Sequence, residues 1–472
     1  MNLHLLLARG GGLIPVRSQG LPLASVFREP RPAEPVKPRS LYDFTGDMND
    51  LQSQHWALVV PEGPRGERLL ARVARLRRHR ADQQHMHPDL VPTYKVSPGM
   101  TSFEAEEFRL KLSKLPPERQ PRYLLILGDA DEVSFEFQQY LAVDRFMGRL
   151  SFSREEDFEV YADKVLRAEQ EPPRTELART LFFTAYDGTV ATTHGHELLI
   201  SRSLNDCQRS YQRGKFPASE VLELGRRHDL SATELLSSAA KSTPTALLTL
   251  SHGNGGPEAG WSSSGEQRQG QGALVLGNGQ VLTADAVGRR PFLPGGVWIY
   301  FACFGAGTPA RSTYAPWLQR LKEVDEDAGH LEAVLGSAPL DGRPFVAALP
   351  QAALANPEGP LAVMGHVDLA WSYAYHDVEG NNHAARFTNV LSDLMKHRRA
   401  GVSLYSLTSA IASVDARLAM MYQQDSVARY DGAEPPPEFV DRAHLWMARH
   451  DLSAYVLLGD PAVRLPIKPP RW

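Results

Sequence analysis

VWIYFACFGAG, residues 297–307, decides how this chain is read. Its first five residues are β-branched or aromatic, the composition of a buried strand. The run then breaks into Cys303 and a glycine-containing turn. A second run ends in a similar way: TALLTL (245–250) leads into Ser251, His252 and Gly253. In an open parallel sheet the carboxyl ends of neighbouring strands lie along one edge, and ligands bind there. If the two strands are neighbours, His252 and Cys303 share a crevice. An imidazole beside a thiol can take its proton, and the thiolate is a strong nucleophile. The N–H groups of Gly253 and Cys303 can then stabilise an oxyanion, and Gly253 lets the backbone come close to a substrate.

Working outward, apolar runs alternate with amphipathic stretches. WALVV (56–60), stopped by Pro61, and YLLILGD (123–129) read as buried strands. Residues 66–80, 103–115 and 155–170 carry helical periodicity. After EPPR (171–174), TLFFTAY (180–186) opens a second unit. It continues with helices at 216–228 and 232–241 and strands at 245–250, 297–302, 344–350 and 361–365. Helices at 385–398 and 406–424 and a last strand in AYVLLGDP (454–461) complete it. GALVLGNGQVLTAD (272–285) reads as a hairpin on a Gly-Asn-Gly turn. The expected class is α/β: two α/β subdomains, 41–172 and 173–472, with mainly parallel sheets flanked by helices. A Pro-, Gly- and Arg-rich segment, 1–40, is expected to be a loosely ordered arm.

Composition narrows the function. With 42% hydrophobic and 22% charged residues the chain can build a sizeable core, and a net charge of −4 offers no bulk attraction to nucleic acid or an anionic membrane. MNLHLLLARGGGLIP has no leading positive charge and is interrupted by Arg9, so it reads as neither signal peptide nor membrane span. Two cysteines cannot make a disulfide framework, and a cytoplasmic location is expected. His194 and His196, like His85 and His87, lack companion ligands at metal spacing, and HExxH is absent, so neither metal nor cofactor is expected. GNGGPEAG (253–260) lacks the ending of a phosphate-binding loop, and no G-x-S-x-G occurs. Cys207 lies in a polar stretch of helical character, away from any strand end, and is assigned no function.

His252 precedes Cys303 by 51 residues. Caspases place their His about 50 residues before the Cys, although Phe301 stands here where caspases have Gln. HGNGG and ACFGAGTP resemble the caspase-like cysteine peptidases of the gingipain type, especially their intracellular bacterial relatives. YLLILGDADEV, VDRFMGRLSF, PFVAALPQAALANP, LAVMGHVDLAWSYAY and YVLLGDPAVRLP extend the resemblance over about residues 55–467. It implies a caspase-like fold whose second subdomain carries a His252–Cys303 dyad, and cleavage of a protein or peptide after a chosen P1 residue. By context Trp371 matches the tryptophan that walls the P1 pocket. The resemblance also implies an acid that orients the His, or one that lines a pocket for Arg or Lys. Asp187, at a strand end, and Glu197 are the candidates. Asp187 is preferred as the pocket floor, which gives a lean to basic P1. His366, ending a third strand, is expected to be structural. An activating partner is compatible with this picture. Two alternatives remain open: a non-catalytic scaffold that binds a partner through the same crevice, and a thiol amidase or acyltransferase acting on a non-protein substrate.

Overall fold

A run of six buried residues, Trp56–Pro61, starts the central sheet as β1. The others in chain order are β2 (Thr93–Val96), β3 (Tyr123–Leu127), β4 (Phe146–Leu150) and β5 (Ala178–Thr184). They are followed by β6 (Ala218–Leu224), β7 (Thr245–Leu250), β8 (Val297–Phe301), β9 (Ala362–His366) and β10 (Tyr455–Gly459). The computed structural model describes residues 46–469 apart from 174, 226–230, 258–259, 325–333, 378 and 432–438. In the arm it describes only two antiparallel pairs, Asn2–Leu3 with Leu21–Pro22 and Ala8–Arg9 with Ile14–Pro15, and the rest of 1–40 lies outside the described residues.

The ten strands form a single sheet in the order β6-β5-β7-β8-β9-β10-β4-β3-β1-β2. Every neighbouring pair is parallel except β9 with β10. The two expected α/β halves therefore share one sheet, and they run in opposite directions across the β9–β10 joint. Helices cover both faces, which is why β1, β3, β5, β7 and β8 are mostly apolar and fully buried. Each large apolar side chain buried this way contributes roughly 1.5–3 kcal/mol.

The joint is tied by buried polar groups. The Asp460 carboxylate accepts hydrogen bonds from Trp56 Nε1 (3.0 Å) and Arg80 Nε (2.8 Å). The Tyr161 hydroxyl donates to the Leu361 carbonyl at 2.6 Å and accepts from the Asp460 N–H at 2.7 Å. Asp460 and Arg80 are both fully buried, so removing Arg80 strands the Asp460 carboxylate at a cost of about 3–5 kcal/mol, whereas Arg80 also pairs with Glu169 at 2.7 and 2.8 Å.

Two elements differ from the sequence reading. Of the helix expected at 216–228, Ala218–Leu224 is strand β6, and 226–228 lie outside the described residues. Strand β6 forms the edge of the sheet, and its buried residues Ala218, Val221 and Leu224 recur every third position, which imitates a helical period. The strand expected at 344–350 is only Phe345–Val346, and helix Ala348–Ala355 follows. Pro350 is tolerated there because it sits in the first turn, where its missing N–H has no partner to lose.

Candidate active site

β7 lies between β5 and β8, so the carboxyl ends of these three strands are side by side. Ala246 pairs with Val297, and Leu250 with Phe301. Continuing that register sets His252 beside Cys303, and the Ser251 N–H bond to the Phe301 carbonyl (3.1 Å) carries the ladder past the strand end. On the other side Leu250 pairs with Thr184, which brings Asp187 to the same edge. A methyl group on Gly253 would lie 1.8 Å from the Cys303 carbonyl oxygen, so only glycine permits this approach. Gly272 makes the equivalent approach to the next residue, where a methyl would meet the Phe304 carbonyl at 2.0 Å. Phe304 itself has φ 56, a left-handed conformation that costs roughly 1–2 kcal/mol in a non-glycine residue. The chain turns sharply immediately after the thiol.

His252 Nε2 lies 3.3 Å from Asp187 Oδ2 and 3.0 Å from Thr189 Oγ1. Thr189 and Thr192 each donate their hydroxyl to Asp187 Oδ1, at 2.8 and 2.7 Å. Thr189 Oγ1 therefore accepts from the imidazole, and Nε2 faces two acceptors. Nε2 carries the proton, which leaves Nδ1 of the neutral ring as the basic nitrogen. Burial works against the Asp187 carboxylate. Hydrogen bonds from Thr192 and Thr189, and the charge His252 can carry, outweigh it and hold Asp187 below the usual carboxylate range. The loop itself is set locally: Asp187 also accepts the Thr189 N–H (3.0 Å), and Thr189 caps helix Val190–Gly195.

Cys303 is partly buried. Its Sγ accepts the Ala370 N–H at 3.3 Å and points its own proton toward the Ala370 carbonyl at 3.7 Å. Burial pushes the thiol up to about 11. The Ala370 N–H opposes this, and Asp368 and Asp451 add to it. Among the described residues Sγ makes no hydrogen bond with His252, so the resting thiol is protonated and clasped by backbone. Hydrogen bonds of an unliganded catalytic site are often loose and tighten on substrate binding. The turn's backbone bonds come from Phe304 N–H to Asp368 (2.8 Å), Gly305 N–H to Ala302 (3.2 Å) and Asn254 N–H to Ala273 (2.8 Å), and they use neither the Gly253 nor the Cys303 N–H.

Trp371 lies in an apolar cluster with Cys303, Phe304, Leu318, Leu369 and Met447, and its indole packs edge-on against Tyr314 and Trp317. Asp187, expected on the floor of the pocket that Trp371 walls, is placed against His252 instead. The acids beside Trp371 are Asp368 and Asp451, both buried. Glu197 lies exposed in the helical stretch His196–Ile200, and His194 and His196 are helical rather than paired on a strand face; His196 meets Glu223 at 2.8 Å. Among the described residues no group of three or more His, Cys, Asp or Glu is placed to hold a metal, and no helix is long and apolar enough to cross a membrane. Cys207 is fully buried and pushed up to about 12, first by burial and then by Asp206. Sequence reasoning missed Thr189, Thr192, Asp368, Asp451 and the Ala370 backbone. Only the threonines leave a local signal, the Asp-x-Thr-x-x-Thr start of a helix.

No family model matches the chain, nor does any curated protein. Among solved structures, one described as the structure of a protease is similar at 12% identity and TM-score 0.48, covering 88% of this chain and 81% of that one. The Arg-specific cysteine proteinase gingipain R (RgpB) is similar at 9% identity and TM-score 0.47, covering 87% and 78%. A complex of Porphyromonas gingivalis RgpB pro- and mature domains is similar at 11% identity and TM-score 0.45, covering 87% and 79%. None of these decides the chemistry, which has to be read from the three strand ends.

Proposed function

We propose that the chain is a cysteine endopeptidase with Cys303 as nucleophile, His252 as general base and Asp187 as the acid that holds the imidazole. The observation that carries this reading is the register of β5, β7 and β8, which sets the three residues on adjacent strand ends with His252 Nδ1 left basic. On substrate binding the Cys303 thiol gives its proton to Nδ1, and the thiolate attacks the scissile carbonyl carbon. The oxyanion takes hydrogen bonds from the Gly253 and Cys303 N–H groups. The C–N bond breaks as the imidazolium returns the proton to the departing amine, leaving a thioester. Water, deprotonated by His252, attacks that thioester and releases the acid and the thiol. Since Asp187 is engaged with His252, a preference for basic P1 rests on the Trp371 indole alone, and a cation–π contact of about 0.5–1 kcal/mol amounts to a few-fold.

The test is a peptide-library digest with an active-site thiol probe. The chain is expected to cut peptides and to be labelled at Cys303, and Cys303→Ala to do neither while remaining folded. Labelling without cleavage would favour an amidase or acyltransferase on a non-protein substrate. Neither labelling nor cleavage would favour a scaffold.

A further inference from the structure

The segment GHVDLAWSY (365–373) holds two groups that the proposed reaction leaves unused, His366 and Asp368, and the structure adds Asp451 from helix Phe439–Ser453. His366 and Asp451 are fully buried, each 0% accessible. Asp451 Oδ1 accepts the Trp371 N–H at 2.8 Å, and Oδ2 accepts the Ala374 N–H at 2.9 Å. His366 Nε2 lies 3.2 Å from Asp451 Oδ1 and 3.1 Å from the Asp451 carbonyl. His366 Nδ1 lies 3.1 Å from the Asp368 carbonyl, the same oxygen that accepts the Phe304 N–H at 2.8 Å. Asp368 has φ 124, and its carboxylate accepts the N–H groups of Leu369 (2.7 Å) and Thr313 (2.8 Å).

Residues 368–371 belong to no strand or helix. Their path is therefore fixed at one end by Asp368 and at the other by Asp451, with His366 bridging the two. Ala370, in the middle, is the residue that grips Sγ. A buried carboxylate is costly unless hydrogen bonds offset its lost solvation. Here two backbone N–H groups and an imidazole do so, and two of those three donors lie in, or at the start of, the segment that meets the thiol.

We propose that Asp451 and His366 are positioning residues for the nucleophile: they fix the backbone of residues 368–374 so that Ala370 holds Cys303 Sγ where His252 and a substrate can reach it. This rests on Cys303 being the nucleophile of the proposed reaction. Neither residue touches the reacting atoms. Their effect is carried by main-chain geometry, and displacements of about 1 Å in such a site can cost about 100-fold in rate.

The test compares wild type with Asp451→Asn in two readouts. The first is the rate of iodoacetamide labelling of Cys303 at neutral pH in the absence of substrate. The second is peptide turnover per active site titrated with an irreversible thiol reagent. The amide of Asp451→Asn turns a donor toward one of the two N–H groups, so the segment loosens. Burial is the first cause of the protonated thiol and Asp451 adds to it, so exposing Sγ and removing the charge both favour labelling, against the smaller loss of the Ala370 N–H. Labelling of Cys303 is expected to rise several-fold, while turnover per titrated site falls about 10- to 100-fold. Cys207, fully buried in helix Ser201–Gln212, reports on unfolding and is expected to stay unlabelled. His366→Gln, whose amide can meet Asp451 but cannot span to the Asp368 carbonyl as well, is expected to shift both readouts in the same directions by less. The inference is overturned if both readouts of Asp451→Asn match wild type with Cys207 protected. It is equally overturned if Cys207 opens together with Cys303 in both variants, because the role is then fold stability alone. Labelling needs no substrate, so in a chain that cut no peptide the peptidase reading ends and the labelling arm still decides the clasp: unchanged labelling of Cys303 in Asp451→Asn overturns it.

Discussion

In the order β2-β1-β3-β4, and again in β6-β5-β7-β8, the chain lays down one strand, adds the next to one side, and adds the third and fourth to the other. Equivalent strand ends are thus built twice. Beyond β1, β3 and β4 stand Arg65, Glu132 and Glu155, and Arg65 bridges the two acids at 2.8 and 2.6 Å. Beyond β5, β7 and β8 stand Asp187, His252 and Cys303. The first trio is an ion-pair network, in which Arg68, 3.0 Å from Glu155, supplies the second cation. The second is a hydrogen-bonded chain left unfinished at Nδ1, next to a thiol. The antiparallel β9–β10 joint puts the two trios on opposite edges of the sheet, so the first neither lines nor crowds the second. Winding supplies a crevice, and the residue types at three strand ends decide whether it does chemistry.

The sharpest way to break this contrast is at the centre of each trio. His252→Ala is expected to lower turnover by about 100-fold or more, the scale of losing a general base. Arg65→Ala should leave turnover per folded molecule within about two-fold and shift Tm only slightly, because half-exposed ion pairs contribute about 0–1 kcal/mol. Steady-state kinetics and thermal melts of both variants check this. Comparable turnover losses in the two would refute the division of labour.

The glycines come next. Gly253→Ala forces a methyl against the Cys303 carbonyl, 1.8 Å away, and the backbone of the nucleophile must move. A turnover loss of about 10- to 100-fold is expected. Gly128, at the end of β3, has φ 124, and a methyl there meets only the flexible Glu132 side chain at 2.9 Å. Gly128→Ala should cost about 1–3 kcal/mol of stability through backbone strain and leave turnover unchanged.

The thiol can be tested by pH alone. With Cys303 raised to about 11, chiefly by burial, its alkylation rate in the free protein should climb about ten-fold per unit between pH 7 and 9 without levelling. Levelling near 8.5, the ordinary thiol value, would show that the resting thiol is not shielded from solvent. The sign for stability follows. The folded protein holds this proton more tightly than the unfolded chain, so the contribution is complete below about pH 8.5 and is lost as pH rises toward 11.

The pairing of β7 with β8 is legible in the sequence, because two mostly apolar runs both stop at a polar, glycine-containing turn and their spacing matches the register. Edge strand β6 is not, since one of its sides faces solvent and its buried residues fall every third position. The direction of β10 is set by contacts with β4 and β9 that leave no local trace. Asp187 is legible as a strand-end acid. Its partner is not, because whether it faces His252 or Trp371 depends on a two-residue turn closed by Thr189. Asp451 and Ala370 act through main-chain bonds, and main-chain bonds carry no side-chain signature.

The smallest expected effect decides between the two roles of Asp187. In Asp187→Asn the side chain keeps an oxygen that can accept from the His252 imidazole, and Thr189 still holds the ring, so orientation survives. What is lost is a charge that favours the imidazolium. The His252 side chain is 43% exposed, so solvent screens that charge and the loss is about 1 kcal/mol or less, about five-fold in turnover. As the partner of His252, Asp187 affects every substrate alike, and the loss should be the same for peptides with basic, apolar and acidic P1 residues. As the floor of a pocket it would affect basic P1 alone. Turnover of Asp187→Asn on three peptides that differ only at P1 separates the two: an equal loss in all three keeps Asp187 in the catalytic chain, and a loss confined to Arg and Lys moves it to the pocket.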